Sequence, residues 1–268
     1  MTKPAAKLRP TITLLTDFGT RDVFVGVMKG VIASIAPQAT VVDLCHEVEP
    51  FQVAQARFLL KQSWPFFSKG TIHVCVVDPG VGSARRALCV EAAGHRFIGP
   101  DNGLFTDVLS LPGAKAREIT SARYMLKSIS QTFHGRDVFA PAAAHLAAGA
   151  APAGLGRIVK DAARAEAGGV VRIGRRFFLG QVAHIDRFGN VITNLESAEF
   201  LPLAVKGIQA KVGFEAVRLR ADSYAAAPEG ELFLIAGSAG TLEISLREAS
   251  AAKRLGVGIG APVELEVW

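Results

Sequence analysis

The sequence predicts an α/β N-terminal domain with a mostly parallel sheet, followed by a small all-β, barrel-like C-terminal domain. Three observations carry this prediction. Apolar strands alternate with helically spaced segments from Ile12 to Val77, the pattern of a βαβαβ unit. Ala-, Gly- and Pro-rich basic sequence then runs from about Gly149 to Gly174 and reads as an inter-domain connection. Beyond it, short alternating strands punctuated by glycine continue with no long helix among them. The expected domains are residues 10–165 and 175–268.

The elements follow in order. Ile12 to Leu15 is a strand leading into Thr16-Asp17-Phe18-Gly19. Val23, Phe24, Val27, Met28, Val31, Ile32 and Ile35 recur at helical spacing, with Asp22 as the expected N-cap and Pro37 as a stop. Thr40 to Leu44 is a second strand, Phe51 to Lys61 a second helix, and Ile72 to Val77 a buried third strand. Ala87–Glu91 and Arg96–Ile98 form a hairpin through Ala93-Gly94. Leu104 to Leu109 and the alanine-rich Asp137 to Leu146 read as helices. The later strands are Phe177–Ile185, Val191–Leu195, Gln209–Leu219, Glu231–Ile235, Thr241–Leu246 and Val263–Val267, with a short helix within Glu248–Leu255.

Half of the 268 residues are hydrophobic and a fifth are charged, so a sizeable core is available and disorder is excluded as the general state. The net charge of +6 and pI of about 9.4 raise the question of nucleic acid. The basic residues are scattered, apart from a modest cluster between Arg157 and Arg176, and no nucleic-acid-binding signature accompanies them, so a solvated basic surface is the simpler reading. Cys45, Cys75 and Cys89 lack CxxC spacing and lie in apolar segments, as buried reduced thiols of a cytoplasmic protein do. Met1 to Pro10 has basic residues without an apolar stretch behind them and reads as a loose tail, not a signal peptide. No run approaches the length of a membrane span.

The chain is organised around Val76-Val77-Asp78-Pro79-Gly80-Val81-Gly82-Ser83-Ala84-Arg85-Arg86. Asp78 ends a buried strand, where open α/β sheets place their ligands. Pro79, Gly80 and Gly82 force a tight loop, and Arg85 returns seven residues later, close enough to share one pocket. Taken alone, Asp-Pro-Gly is ordinary turn chemistry and Asp78 an Asx-turn residue. The loop lacks the Gly-Lys-Ser/Thr of a phosphate cradle, and Arg85 stands where a dinucleotide fingerprint wants its third glycine. Three further polar stretches end apolar segments: Thr16–Gly19, Thr132-Phe133-His134-Gly135-Arg136-Asp137 and Asp186-Arg187-Phe188-Gly189-Asn190. Each has a bland counterpart: a helix-start acid at Asp17, a capping histidine at His134, a hairpin corner at Phe188–Asn190.

Together these stretches, with Gly26, Lys29-Gly30 and Gly99-Pro100-Asp101-Asn102-Gly103, resemble the S-adenosylmethionine hydroxide adenosyltransferases, relatives of fluorinating and chlorinating enzymes. The likeness runs in order from about Ile12 to Val267. It implies an N-terminal α/β domain, a C-terminal barrel, and a homotrimer with sites shared between subunits. It places a catalytic set on Asp78, Arg85 and His134, and a ribose-diol acid on Asp17, since one carboxylate accepts from both hydroxyls. Phe51 falls where the halogenating relatives have a tryptophan wall, and Phe133 belongs to the His134 motif on the substrate side. Phe188 resembles the aromatic facing adenine. Asp186 and Asn190 resemble partners of the methionine amine and nearby polar groups. Ser238 matches a methionine-carboxylate contact, next to Ala239 where the fluorinating relatives carry arginine.

The activity this implies is hydrolysis of S-adenosylmethionine to adenosine and methionine by attack of water or hydroxide at ribose C5′. No cofactor or metal is implied, and the substrate is the small-molecule partner, with neither nucleic acid nor membrane. Water needs a base, and Asp78 and His134 are acceptors beside a fixed cation. Halide transfer to the same carbon is the first alternative. It needs a desolvated pocket and no base, and the Ala87–Ile98 hairpin is too tight for the extra loop of fluorinating members. A non-catalytic adenosine sensor would keep Asp17, Phe188 and Asn190 without needing the Asp78 set. A nucleic-acid methyltransferase wants a Gly-rich loop after its first strand, which Thr16–Gly19 does not supply.

Overall fold

The computed structural model describes residues 9–165 and 169–268. Most of the tail expected at Met1–Pro10, and residues 166–168 of the expected connection, lie outside the described residues. The chain divides into two compact units, Met1–Glu166 and Ala167–Trp268.

The first unit is built as β1 (Thr11–Thr16), α1 (Phe24–Ile35), β2 (Thr40–Cys45), α2 (Val53–Ser63), β3 (Ile72–Val76), β4 (Ala87–Ala92), β5 (His95–Pro100), α3 (Thr106–Leu109), β6 (Lys115–Glu118), α4 (Ala140–Ala147) and β7 (Ile158–Val159). The strands form one mixed, mostly parallel sheet in the order β2-β1-β3-β5-β4-β6-β7. β2, β1, β3 and β5 run parallel, β4 turns back as the hairpin partner of β5, β6 runs with the majority, and β7 opposes it. The hairpin turn is Ala93-Gly94 with both φ angles positive, the geometry that matches strand twist.

Side-chain alternation makes this sheet the middle of three layers. Ile72, Val74 and Val76 of β3 face Met28 and Ile32 of α1 and Phe139 and Ala143 of the α4 segment. Cys75 and Val77 point the other way, into the cluster holding Ala56 and Leu60 of α2 and Val108 of α3. β3 is therefore buried at every position, which explains its apolar sequence, interrupted only by the buried His73.

Local details depart from the sequence expectations. α1 starts at Phe24, and Val23, not Asp22, occupies the N-cap position with no side-chain cap. Val25, Met28 and Ile32 form its buried stripe, while Val23 and Phe24 are exposed. α2 begins two residues after Phe51, which stands outside it at φ 68°. Cys45 is half-buried, unlike Cys75 and Cys89, and all three thiols are free. Part of the stretch read as a connection packs on the first unit: Arg86 binds Asp161, and the Ala163 amide donates to Asp101.

The second unit comprises β8 (Val171–Arg172), β9 (Phe177–Ile185), β10 (Val191–Glu196), α5 (Ser197–Phe200), β11 (Ile208–Val212), β12 (Glu215–Val217), β13 (Leu232–Ala236), β14 (Thr241–Leu246), α6 (Ala251–Leu255) and β15 (Pro262–Val267). The main path of the sheet is β12-β11-β15-β9-β10-β14-β13, antiparallel throughout, with β8 paired to β9. Bonds from Leu234 to Leu219 and from Ala221 to Leu234 tie the segment after β12 to β13, so the sheet nearly closes into a barrel. Val182, Leu195, Phe200, Leu234, Val263 and Leu265 fill its interior. Among the described residues no helix is long and apolar enough to cross a membrane.

Candidate active site

Strand order locates the crevice in the first unit. From β1 the chain crosses to β2 on one side and then to β3 on the other, so the topological switch point lies between β1 and β3, where open α/β sheets bind ligands. Thr16 of β1 is in register with Val76 of β3. Asp17 and Asp78 therefore leave neighbouring parallel strands at the same carboxyl edge.

Arg85 holds the centre of this crevice. Its Nε lies 2.9 and 3.0 Å from the two Asp78 carboxylate oxygens, and its Nη2 donates to Oδ2 at 2.5 Å. The same Nη2 donates to His134 Nδ1 at 2.7 Å. The sequence-predicted set is thus one hydrogen-bonded chain, Asp78–Arg85–His134. The Arg85 and Asp78 side chains are only 10% and 5% exposed. A desolvated ion pair gives little net stability, so its presence at a switch-point crevice points to use, not scaffolding.

The loops bearing these groups are held by named contacts. Gly82 has φ 76°, and a Cβ there would collide with the Gln131 carbonyl, so the Asp78 loop seats directly on the loop leading to His134. The Asn102 amide donates to the Val77 carbonyl at 2.9 Å, bracing the residue before Asp78. His134 precedes one π-helical turn, Gly135–Phe139, a distortion frequent at functional sites. Asp137 in that turn accepts the Ser130 amide at 2.7 Å and Arg136 Nε at 2.6 Å. Burial opposes the Asp137 charge, but the Arg136 and Ser130 bonds outweigh it and hold the carboxyl below its ordinary range. His134 is lowered below an ordinary imidazole, by burial first and then by the Arg85 charge.

Asp17 Oδ2 accepts the Phe51 backbone N–H at 2.9 Å, which explains the left-handed conformation of that bulky residue. Burial raises the Asp17 pKa despite this bond, and the nearby Asp78 charge adds to the rise. Phe51 itself is exposed. Phe133 packs edge-on to Phe18 and Phe24 and lies under the Arg136 guanidinium at 5.2 Å.

In the second unit, Asp186, Phe188, Asn190 and Ser238 line one cavity of about 950 Å³. Asp186 Oδ1 accepts the Phe188 and Asn190 amides, each at 2.9 Å, and Oδ2 accepts Asn190 Nδ2 at 2.8 Å. This clamp turns the loop so that Phe188 stands out, 79% exposed. Gly189 at φ 85° packs on Ser250, where no side chain fits. Two residues of this region carried no sequence signal: Tyr224, which also lines the cavity, and buried Glu243, which accepts the Tyr224 hydroxyl at 2.8 Å. Burial, then the Glu243 bond, pushes Tyr224 up to about 12, and burial raises Glu243.

An α/β domain with a polar switch-point crevice, followed by a barrel-like domain with its own cavity, is a two-domain enzyme architecture. The family model of the SAM hydroxide adenosyltransferase N-terminal domain matches residues 12–156 and that of the C-terminal domain matches residues 180–264, and the chain belongs to this family. A relative from Thermus thermophilus named (R)-S-adenosyl-L-methionine hydrolase is 41% identical over 96% of this chain and 100% of its own length. A fluorinase from Nocardia brasiliensis is 28% identical over 74% of this chain and 75% of its own. The crystal structure of an uncharacterized conserved protein from Thermotoga maritima superposes with a TM-score of 0.88 at 36% identity, covering 95% of this chain and 99% of that one.

Proposed function

We propose that this protein hydrolyses S-adenosyl-L-methionine to adenosine and L-methionine. The observation that carries the reading is the Asp78–Arg85–His134 chain at the switch-point crevice. The greater similarity to the hydrolase than to the fluorinase supports it.

In the reaction, the oxygen of water forms a bond to ribose C5′ while the C5′–sulfur bond breaks. Its electron pair goes to sulfur, which leaves as the neutral thioether of methionine. Because displacement needs oxygen, carbon and sulfur in line, placement is a large part of the catalysis. The residue that takes the proton follows from hydrogen-bond polarity. A guanidinium only donates, so His134 Nδ1, which receives from Arg85, is unprotonated, and the neutral ring carries its hydrogen on Nε2. His134 then offers a donor to the water oxygen, and the acceptor left in the set is the Asp78 carboxylate, which Arg85 fixes in place. Asp17 takes the ribose hydroxyls and Phe51 and Phe133 wall the substrate side. In the barrel unit, Phe188 faces adenine, Asp186 and Asn190 serve the methionine amine and nearby polar groups, and Ser238 serves the methionine carboxylate. No cofactor enters this scheme, and nucleic acid has no part in it. The family resemblance supports a homotrimer in the cytoplasm; a monomer by light scattering at working concentration would reject the trimer.

Turnover in oxygen-18 water tests the activity. The label belongs in the 5′-hydroxyl of adenosine, with chloride and fluoride neither incorporated nor accelerating. A 5′-halo-5′-deoxyadenosine as main product would overturn the roles given to Asp78, Arg85 and His134.

A further inference from the structure

Two residues upstream of the crevice, outside the set above, hold the turn that carries Asp17. Thr16 is fully buried and His46 is 6% exposed. Thr16 Oγ1 accepts the Phe18 N–H at 3.2 Å and lies 2.9 Å from His46 Nδ1. The His46 carbonyl accepts the Gly19 N–H at 2.7 Å. The imidazole thus grips one end of the Thr16–Gly19 turn and the backbone of the same residue grips the other.

The far side of the ring is anchored as well. His46 Nε2 lies 3.0 Å from Asp43 Oδ1, and the other Asp43 oxygen takes Lys29 Nζ at 2.6 Å. These contacts have one consistent polarity. The Asp43 carboxylate lies at ion-pair distance from Nε2, without hydrogen-bond alignment, and favours the ring hydrogen on that nitrogen, so Nδ1 is an acceptor and receives the Thr16 hydroxyl hydrogen, while the Thr16 oxygen receives from Phe18. The order hydroxyl, imidazole, carboxylate is that of a nucleophilic triad. With Thr16 at 0% exposure no substrate atom reaches its oxygen, and the chain has a mechanical task instead.

We propose that His46 is a positioning residue that sets the Asp17 carboxylate for the ribose 2′- and 3′-hydroxyls, an inference that rests on the ribose role given to Asp17. Phe51 N–H already occupies part of Oδ2, so both hydroxyls are met only if the Asp17 backbone is held in one orientation. Asp17 lies in a turn whose two ends, Thr16 and Gly19, are each tied to His46, and it is held in that way.

Calorimetric titration with adenosine and with 2′-deoxyadenosine tests this, because their affinity ratio isolates the diol contact. In the unaltered protein adenosine binds the tighter. Asp17→Ala abolishes that preference. His46→Ala reduces it about tenfold, the loss of one hydrogen bond to a charged group. His46→Asn, whose amide can replace Nδ1 toward Thr16, restores most of it, and Thr16→Val behaves like His46→Ala with no further loss in the double variant. With S-adenosylmethionine, His46→Ala raises KM and leaves kcat within about threefold. If Asp17→Ala keeps the preference, the ribose reading of Asp17 fails and this inference with it. If Asp17→Ala loses the preference while His46→Ala and Thr16→Val keep it, or weaken both nucleosides equally, the positioning role alone is wrong.

Discussion

Gly82 rests on the carbonyl of Gln131: the backbone of the loop carrying Asp78 and Arg85 touches the backbone of the loop carrying His134, with no space for a β-carbon between them. Gly82→Ala adds that carbon at φ 76°, where an L-residue already costs about 1–2 kcal/mol. The variant should be about 2–4 kcal/mol less stable, and kcat should fall more than KM changes, because the loops separate and Arg85 cannot span Asp78 and His134. Thermal unfolding with steady-state kinetics checks both. Unchanged kcat would mean that the joint between the loops is irrelevant to the chemistry.

Arg85→Lys should be as damaging as Arg85→Ala. An ammonium is a single point of charge and cannot make the forked contact to Asp78 while donating to His134. A fall in kcat of about 100-fold, equivalent to about 2.7 kcal/mol, is expected with adenosine binding nearly unaltered. A lysine variant retaining most of its turnover would show that charge alone suffices.

His134 should impose the acidic limb of the kcat profile. Its imidazole is held below the ordinary 6.5, so it is neutral at pH 7. Protonation of Nδ1 as the pH falls removes the acceptor for Arg85. Activity should therefore be full above pH 6.5 and decline below it, and His134→Ala should lower kcat while leaving adenosine affinity nearly intact. A limb centred above 6.5, or a His134→Ala variant unable to bind adenosine, would contradict the assignment.

Acid should also unfold the protein through His73. This ring is fully buried, bonded to Thr13 at 2.8 Å and stacked on Phe97, and burial, then the neighbouring His95, lowers its pKa to about 3. Below pH 6.5 the unfolded chain binds the proton that the folded chain refuses, so stability is complete above 6.5 and lost as the pH falls toward 3. By pH 4 the loss from His73 is about 3 kcal/mol. Urea denaturation from pH 7 to pH 4 measures it, and His73→Phe should flatten the slope. An equal slope in that variant would assign the acid sensitivity elsewhere.

Two barrel strands are legible from sequence to their ends: Phe177–Ile185 and Thr241–Leu246 are observed as read. Gln209–Leu219 reads as one strand, yet it folds back at Gly213-Phe214 into β11 and β12. The exposed Phe214 disguised the turn as more apolar strand. β6 carries almost no sequence signal, because Lys-Ala-Arg-Glu buries only one side chain, Ala116. Asp78 and Arg85 are seven residues apart, and local chain geometry brings them together. Thr16 with His46, and Tyr224 with Glu243, meet only through the sheet, across 30 and 19 residues, and nothing local in the sequence pairs them.

The three free thiols differ in a way that is useful at the bench. Cys75 and Cys89 sit inside the sheet, and burial drives both away from the reactive thiolate, Cys89 to about 12. Cys45 is half-buried at the end of β2, beside His46, with its sulfur facing the Glu47 amide at 3.3 Å. A maleimide dye applied to the native protein should therefore attach at one position without removal of the other cysteines. That position is one residue from the histidine that grips the Asp17 turn, so the emission of such a dye becomes a real-time gauge of nucleoside arrival.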